Sequence, residues 1–269
     1  ATHNARPLVL ARDRRGAALN LDWRPVKGTS LYLRTFSSRF DDQETRQSLK
    51  YSFATPVATG VASDGSASRG LKHRLEHNRS ASMVLGGERH GDEWHVSGQW
   101  SVSRASEDKP MGLSSSSFKA SVKGLSFTGD LQPIATPVAA VMDASQFAFD
   151  KAKFQDSSAR DRVQQARVDL ARDRALGDID GQLKFGLQAS RRDKRNAQET
   201  YAPSAKALAK APYLWSKAQL AYSAVQGPAV APFMDQAFGP SILPAAFLQR
   251  YAELSAHCTL PPDMEPAEA

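Results

Sequence analysis

Two histidine pairs, a serine run and a diglycine are the residues whose types and spacing suggest chemistry. His73 and His77 are four apart. On a helix that spacing sets both imidazoles on one face, within reach of one metal ion. On a strand it separates them by roughly 13 Å, too far for a single ion. The flanking residues favour the strand, so no metal site is expected. His90 and His95 flank a turn with only Asp92 and Glu93 nearby, and read as solvated loop residues. Ser114 to Ser117 follow Gly112-Leu113 in a loop without the strand-turn-helix setting of a nucleophile elbow. Gly86-Gly87 lacks the Lys-Ser/Thr and helix that complete a phosphate loop. Cys258 is the sole cysteine, which excludes an intramolecular disulfide framework and a multi-cysteine zinc site. The expectation is a protein that is not an enzyme and carries neither cofactor nor metal.

The basic residues, among them Arg12, Arg14, Arg15, Arg69, Lys72, Arg74, Arg160, Arg162, Arg191, Arg192, Lys194 and Arg195, are spread along the chain. They either line a channel, where low-dielectric walls focus the field on anionic ligands, or form a solvated inner face or a lipopolysaccharide-facing rim. The formal charge of +7 across 269 residues is too small for a nucleic-acid arm. With 23% charged and 41% hydrophobic residues the chain is not a disordered polyelectrolyte.

No run of 18 apolar residues occurs, so a transmembrane helix is excluded. A transmembrane β-strand needs an apolar residue only at every second position and is not excluded. The start, Ala1-Thr-His-Asn-Ala-Arg6, lacks an initiator methionine and a signal-like apolar region. The end is polar and proline-rich. The expectation is a piece of something longer.

The elements that would hold these residues alternate with period two, the signature of half-buried strands. Leu19, Leu21 and Trp23 face one way, and Asn20, Asp22 and Arg24 the other. A turn at Pro25-Val26-Lys27-Gly28 leads into 29–40, where Leu31 and Leu33 have the opposite parity to Phe36 and Phe40, which a bulge would explain. In a second hairpin Ala81, Met83 and Leu85 lead to a turn near 90–93, and Trp94, Val96, Gly98, Trp100 and Val102 share one face of the return strand. In a third, 160–174 fits helix or strand. After a turn at 176–181, Leu183, Phe185, Leu187 and Ala189 alternate with Gln182, Lys184, Gly186, Gln188 and Ser190. Arg167, Gln182, Lys184 and Gln188 share the polar parity and are the candidate ligand-facing or lumen-facing side chains.

Turns inside the hairpins are short, whereas the connections between them, about 41–70, 104–159 and everything after 191, read as long loops. Short turns alternating with long loops mark an up-and-down barrel that crosses an outer membrane. Trp23 and Trp94, beside the short turns, take the place of an interfacial aromatic girdle. Residues 204–226 have helical composition broken at Pro212, with Tyr213, Trp215 and Tyr222 available to a ligand or to loop packing. Residues 228–244 read as irregular.

The run Leu21-Asp-Trp-Arg-Pro-Val-Lys-Gly-Thr-Ser-Leu-Tyr-Leu-Arg-Thr-Phe-Ser-Ser-Arg-Phe-Asp-Asp-Gln-Glu-Thr-Arg46 resembles the barrel of TonB-dependent outer-membrane receptors. Leu71 to Gly87, Trp94 to Asp108, Val168 to Leu170, Leu183 to Gly186 and Arg191 to Lys194 follow in the order of that family. The resemblance spans about residues 15 to 195. It implies an all-β, antiparallel up-and-down transmembrane β-barrel of about 22 strands around a plug domain, in the outer membrane of a Gram-negative bacterium. It further implies outer loops that bind a siderophore, cobalamin or an oligosaccharide, and import energised by TonB. The sequence contains no recognisable plug, TonB-binding segment or terminal aromatic strand. Residues 1–195 are therefore expected to be a partial barrel of about six strands in three hairpins, and 196–269 a long outer loop or unfinished barrel region. Two other readings are a soluble β-rich module that binds polysaccharide or nucleic acid through a basic face, and a hydrolase using a serine of 114–117.

Overall fold

The computed structural model describes residues 2–53, 58–128, 134–136, 139–176, 179–202, 204–206, 221–232 and 237–249. The chain is predominantly antiparallel β-sheet. Its strands are β1 (Thr2–Ala5), β2 (Leu8–Trp23), β3 (Thr29–Phe53), β4 (Ser63–His90), β5 (Trp94–Thr128), β6 (Ile134–Thr136), β7 (Ala148–Leu176), β8 (Ile179–Tyr201), β9 (Gln226–Val230) and β10 (Gly239–Ile242). A short helix α1 (Ala139–Met142) precedes β7, and a helical turn, α2, covers 244–249. Strands β2, β3, β4, β5, β7 and β8 form a sequential meander. β1 extends the line of β2 along β3, and β6 pairs with the far end of β5. Among the described residues the sheet stays open: β2 pairs only with β3, and β8 only with β7.

All three hairpins turn at the same end of the sheet: β2 passes into β3 through 24–28, β4 into β5 through 91–93, and Leu176 at the end of β7 pairs with Ile179 at the start of β8. The first turn closes with the Thr29 N–H donating to the Val26 carbonyl at 3.1 Å, and Gly28 takes φ +77°, a conformation glycine adopts without steric cost. At the other end the connections run from 54 to 62 and from 129 to 147. These are much shorter than the loops expected from sequence. Residues 41–53, 63–70, 104–128 and 148–159 continue the strands rather than leaving them. Their dyad pattern lapses where polar residues occupy both faces, as at 41–46 and 106–110, and resumes on the buried face at Leu49, Tyr51 and Phe53 and at Phe118, Ala120 and Val122. At about 3.3 Å per residue, the 35-residue β5 is on the order of 100 Å long, several times the height of a membrane's apolar layer.

Other expectations need correction. β3 carries no bulge: its register with both neighbours is unbroken through 29–40. Phe36 and Phe40 simply lie on the face opposite Leu31 and Leu33, and Arg14 stacks 4.9 Å from the Phe40 ring. The bulges occur in the β4–β5 pairing and in the β5–β7 pairing near 109–118. Residues 160–174 are strand, with 160–172 paired on both sides. Ser114 to Ser117 lie within β5, where Ser116 is buried and its hydroxyl both accepts from the Leu71 N–H and donates to the Leu71 carbonyl. Within 228–244, β9 and β10 pair with each other. Pro212, Tyr213 and Trp215 lie outside the described residues.

The core sits at the end away from the hairpin turns. There Leu49 and Tyr51 of β3, Ala67 and Leu71 of β4, Leu113 and Phe118 of β5 and Phe154 of β7 are buried. They are covered by Val141 of α1, Phe147, Tyr222, Val225, Phe238, Ile242 of β10 and Phe247 of α2. Edge-to-face ring contacts of Phe118 with Tyr222 at 5.2 Å and with Phe247 at 6.0 Å join cover to sheet. Gln47 extends the ladder onto β10, its amide donating to the Ile242 carbonyl at 2.8 Å and accepting from the Ile242 N–H at 3.1 Å.

Candidate functional site

Nearer the hairpin turns the same sheet face has no cover. Directly opposed residues in an antiparallel ladder point to one side, so the registers sort every side chain by face. One row reads Leu21, Leu33, Leu85, Trp100, Ala166 and Ala189 across all six strands. The next row toward the turns reads Trp23, Leu31, Gly87, Gly98, Val168 and Leu187. Leu21, Trp23, Leu85, Trp94, Trp100, Val168, Phe185 and Leu187 are all exposed. Six strands at about 4.8 Å spacing and some seven residues of height make a band of roughly 500–600 Å², at the upper limit for the largest apolar patch of a soluble monomer.

Trp23 and Trp94 both stand at the turn side of this band, as their positions beside short turns predict. The Arg172 guanidinium stacks 4.9 Å from the Trp94 ring and donates to Glu93 at 2.9 Å. Arginine packed on an indole suits a boundary between an apolar and a wet layer.

The opposite face is largely polar. Arg167, Gln182, Lys184 and Gln188 all lie on it, and Arg167 stands directly across from Gln188. Arg167 is held by Asp169 at 2.7 Å, and Gln182 donates to Asp173 at 2.8 Å. Farther along this face runs a charge ladder that the sequence reading missed. Asp42 and Glu44 of β3 are nearly buried between cations: Arg12 and Arg74 reach Asp42 at 3.0 and 3.2 Å, and Lys72 and Arg74 reach Glu44 at 2.9 and 3.2 Å. Glu76 and Glu107 continue it through Arg74 and Lys109. The available signal was the two-residue spacing of Asp42-Glu44 and of Lys72-Arg74-Glu76, which places each set on one face.

His90 and His95 are not solvated loop residues. His90 ends β4 and His95 is the second residue of β5, and the two are directly opposed. Their Nδ1 atoms are 2.7 Å apart, and His95 Nε2 is 2.6 Å from Asp173. The carboxylate comes from a strand 78 residues away in sequence. Hydrogen bonds from Gln182 and then from His95 hold the Asp173 carboxyl below the ordinary carboxylate range. His73 and His77 lie on a strand as expected and take separate partners, Thr45 at 2.8 Å and Asp41 at 2.6 Å. Burial pushes the His73 imidazole below its ordinary value, while the bonds from His77 and then Arg39 lower Asp41. Among the described residues no group of three or more His, Cys, Asp or Glu is placed to hold a metal.

The registers also divide the basic residues. Arg15, Arg160, Arg162, Arg191 and Arg195 share the face of the apolar band, whereas Arg12, Arg14, Lys72, Arg74, Arg192 and Lys194 lie on the polar face. Arg69 belongs to neither exposed set, being buried in the core. No helix among the described residues is long and apolar enough to cross a membrane. No protein-family model matches the chain, and no curated protein matches it.

Proposed function

We propose that the chain forms part of the wall of a TonB-dependent outer-membrane receptor, a barrel that captures a scarce ligand such as a siderophore, cobalamin or an oligosaccharide and imports it. The observation that carries this reading is the uncovered apolar band, six strands wide, backed by a polar face and bounded at its turn side by Trp23 and Trp94. Lipid is the environment that removes such a band from water, and strands bounding an open sheet are satisfied by further barrel strands. In this reading the polar face with Arg167, Gln182, Lys184 and Gln188 looks into the lumen. The short turns face the periplasm, where TonB acts through a plug, and the far connections face outward.

Fractionation tests the location. An antibody against residues 94–128 should recover the native protein from the detergent-resistant outer-membrane fraction. Recovery from soluble periplasm or cytosol would overturn the reading. A soluble module using its basic face would instead be monodisperse without detergent and bind polyanions with steep salt dependence.

A further inference from the structure

On every strand that crosses the band, the first charged side chain met on that face beyond the apolar run, going away from the turns, is an arginine. These are Arg15, Arg39, Arg79, Arg104, Arg162 and Arg191, one from each of β2, β3, β4, β5, β7 and β8. The ladder aligns them further. Arg15, Arg39, Arg79, Ser106, Arg160 and Arg195 stand in one hydrogen-bonded row, so five of six directly opposed positions carry a guanidinium.

Neighbours in such a row are about 4.8 Å apart, and like charges opposed at that distance destabilise a sheet. Toward the edges the charge is offset within each strand: Arg15 pairs with Asp13 at 2.7 Å, Arg39 with Asp41 at 2.6 Å and Arg195 with Asp193 at 3.2 Å. In the middle it is not. Among the described residues Arg79, Arg104, Arg160, Arg162 and Arg191 make no ion pair, and all five are exposed. They line one groove of about 720 Å³, whose acids are Asp108 and Asp193 on the same face and Asp161, which is paired with Arg192.

We infer that this groove is a binding site for the phosphate groups of an anionic lipid headgroup in the leaflet farther from the hairpin turns. An exposed cluster of guanidinium forks is complementary to phosphate, which takes two parallel N–H···O bonds from each fork. Its place directly beyond the apolar band fixes the source. A ligand whose acyl chains lie on Leu85, Trp100 and Val168 presents its headgroup at the level of Arg79, Arg104 and Arg162. A soluble polyanion has no use for the apolar half. The inference rests on the membrane reading above and deepens it.

The test uses the full chain reconstituted in three vesicle compositions: phosphatidylcholine alone, and phosphatidylcholine with either bisphosphorylated or dephosphorylated lipid A. Lipid retained after mild detergent extraction is then measured. The wild type should retain the bisphosphorylated form about tenfold over the dephosphorylated form, and the preference should fall with added salt. The combined variant Arg79→Gln, Arg104→Gln, Arg160→Gln, Arg162→Gln should bring the ratio near one, while Arg14→Gln with Lys194→Gln on the polar face should leave it unchanged. Equal retention of both lipids by the wild type overturns the headgroup site even if the chain inserts into neutral vesicles. So does an equal loss in the polar-face variant, or tighter binding of a nucleic-acid duplex than of the phosphorylated lipid. Failure to enter any of the three vesicles overturns the membrane reading itself.

Discussion

The Arg69 guanidinium donates from Nη1 to the Pro240 carbonyl at 2.9 Å, joining chain positions 171 residues apart. Its Nη2 donates to the Val141 carbonyl at 2.7 Å, and the rings of Phe147, Phe238 and Tyr222 surround it at 5.2, 5.6 and 5.9 Å. Arg69 is 1% exposed. A single side chain of β4 thus ties the sheet to β10 and to α1.

Arg69→Met should therefore lower unfolding free energy by about 3 kcal/mol, since two carbonyls lose charge-assisted donors inside the core. Arg69→Lys should lose nearly as much, because one ammonium cannot reproduce the fork that reaches both carbonyls. Urea midpoints measure both, and proteolysis should open the 221–249 cover first. Two variants within about 0.5 kcal/mol of wild type would remove Arg69 as the tie.

Tyr51 and Tyr222 flank this arginine, and burial pushes each phenol up to about 12. The neutral Tyr222 hydroxyl donates to the Pro240 carbonyl at 2.8 Å. In the unfolded chain the phenols ionise near pH 10, so the unfolded state loses its protons first. Stability present below that pH should then fall between about pH 10 and 12, by up to about 3 kcal/mol for each tyrosine. Ultraviolet titration of phenolate should show two of the six tyrosines ionising last. Six tyrosines titrating together near pH 10 in a still-native chain would refute it.

Period-two alternation was enough to locate all three hairpins, because residues such as Trp94 to Val102 must divide between two unlike environments. It failed where both faces of a strand are polar. The strand stretches 41–46 and 106–110 carry polar residues on both faces, and bulges interrupt the ladder near 109–118, so the apolar period breaks there and resumes only at Leu49, Tyr51 and Phe53 and at Phe118, Ala120 and Val122. The polar parity of Arg167, Gln182, Lys184 and Gln188 was legible from spacing alone, since they lie on adjoining strands around one turn. The arginine row was not. Arg15 and Arg195 fall in one line only after five ladder registers are fixed, and no register can be read from a strand by itself. The Asp173 partner of His95 was hidden for the same reason.

Gly70 is buried in β4, and a Cβ there would lie 2.5 Å from the Ser116 carbonyl oxygen and 2.6 Å from the Ser48 hydroxyl. The carbonyl belongs to the neighbouring backbone and cannot step aside without bending β5. Gly70→Ala should cost about 1–3 kcal/mol by overpacking. Gly181→Ala, exposed near a turn with its nearest contact at 3.4 Å, should stay within about 0.5 kcal/mol. Thermal or urea midpoints of the pair measure the difference, and equal effects would mean that the sheet spacing at Gly70 relaxes freely.

Leu187 and Gln188 are consecutive on β8, one on the apolar band and one on the polar face, and Leu187 is 82% exposed. In water, replacing so exposed a leucine by arginine should shift stability by no more than about 0.5 kcal/mol. Against lipid the same change, inside the apolar run Leu183, Phe185, Leu187 and Ala189 of β8, should cost about 2–4 kcal/mol, because no water reaches the guanidinium there. Urea titration of the chain folded in phosphatidylcholine vesicles should therefore find Leu187→Arg strongly destabilised and Gln188→Arg nearly silent. The comparison controls for strand, depth and residue type, leaving only the face to differ. If both variants behave alike in vesicles, the band does not meet lipid, whatever its hydrophobicity.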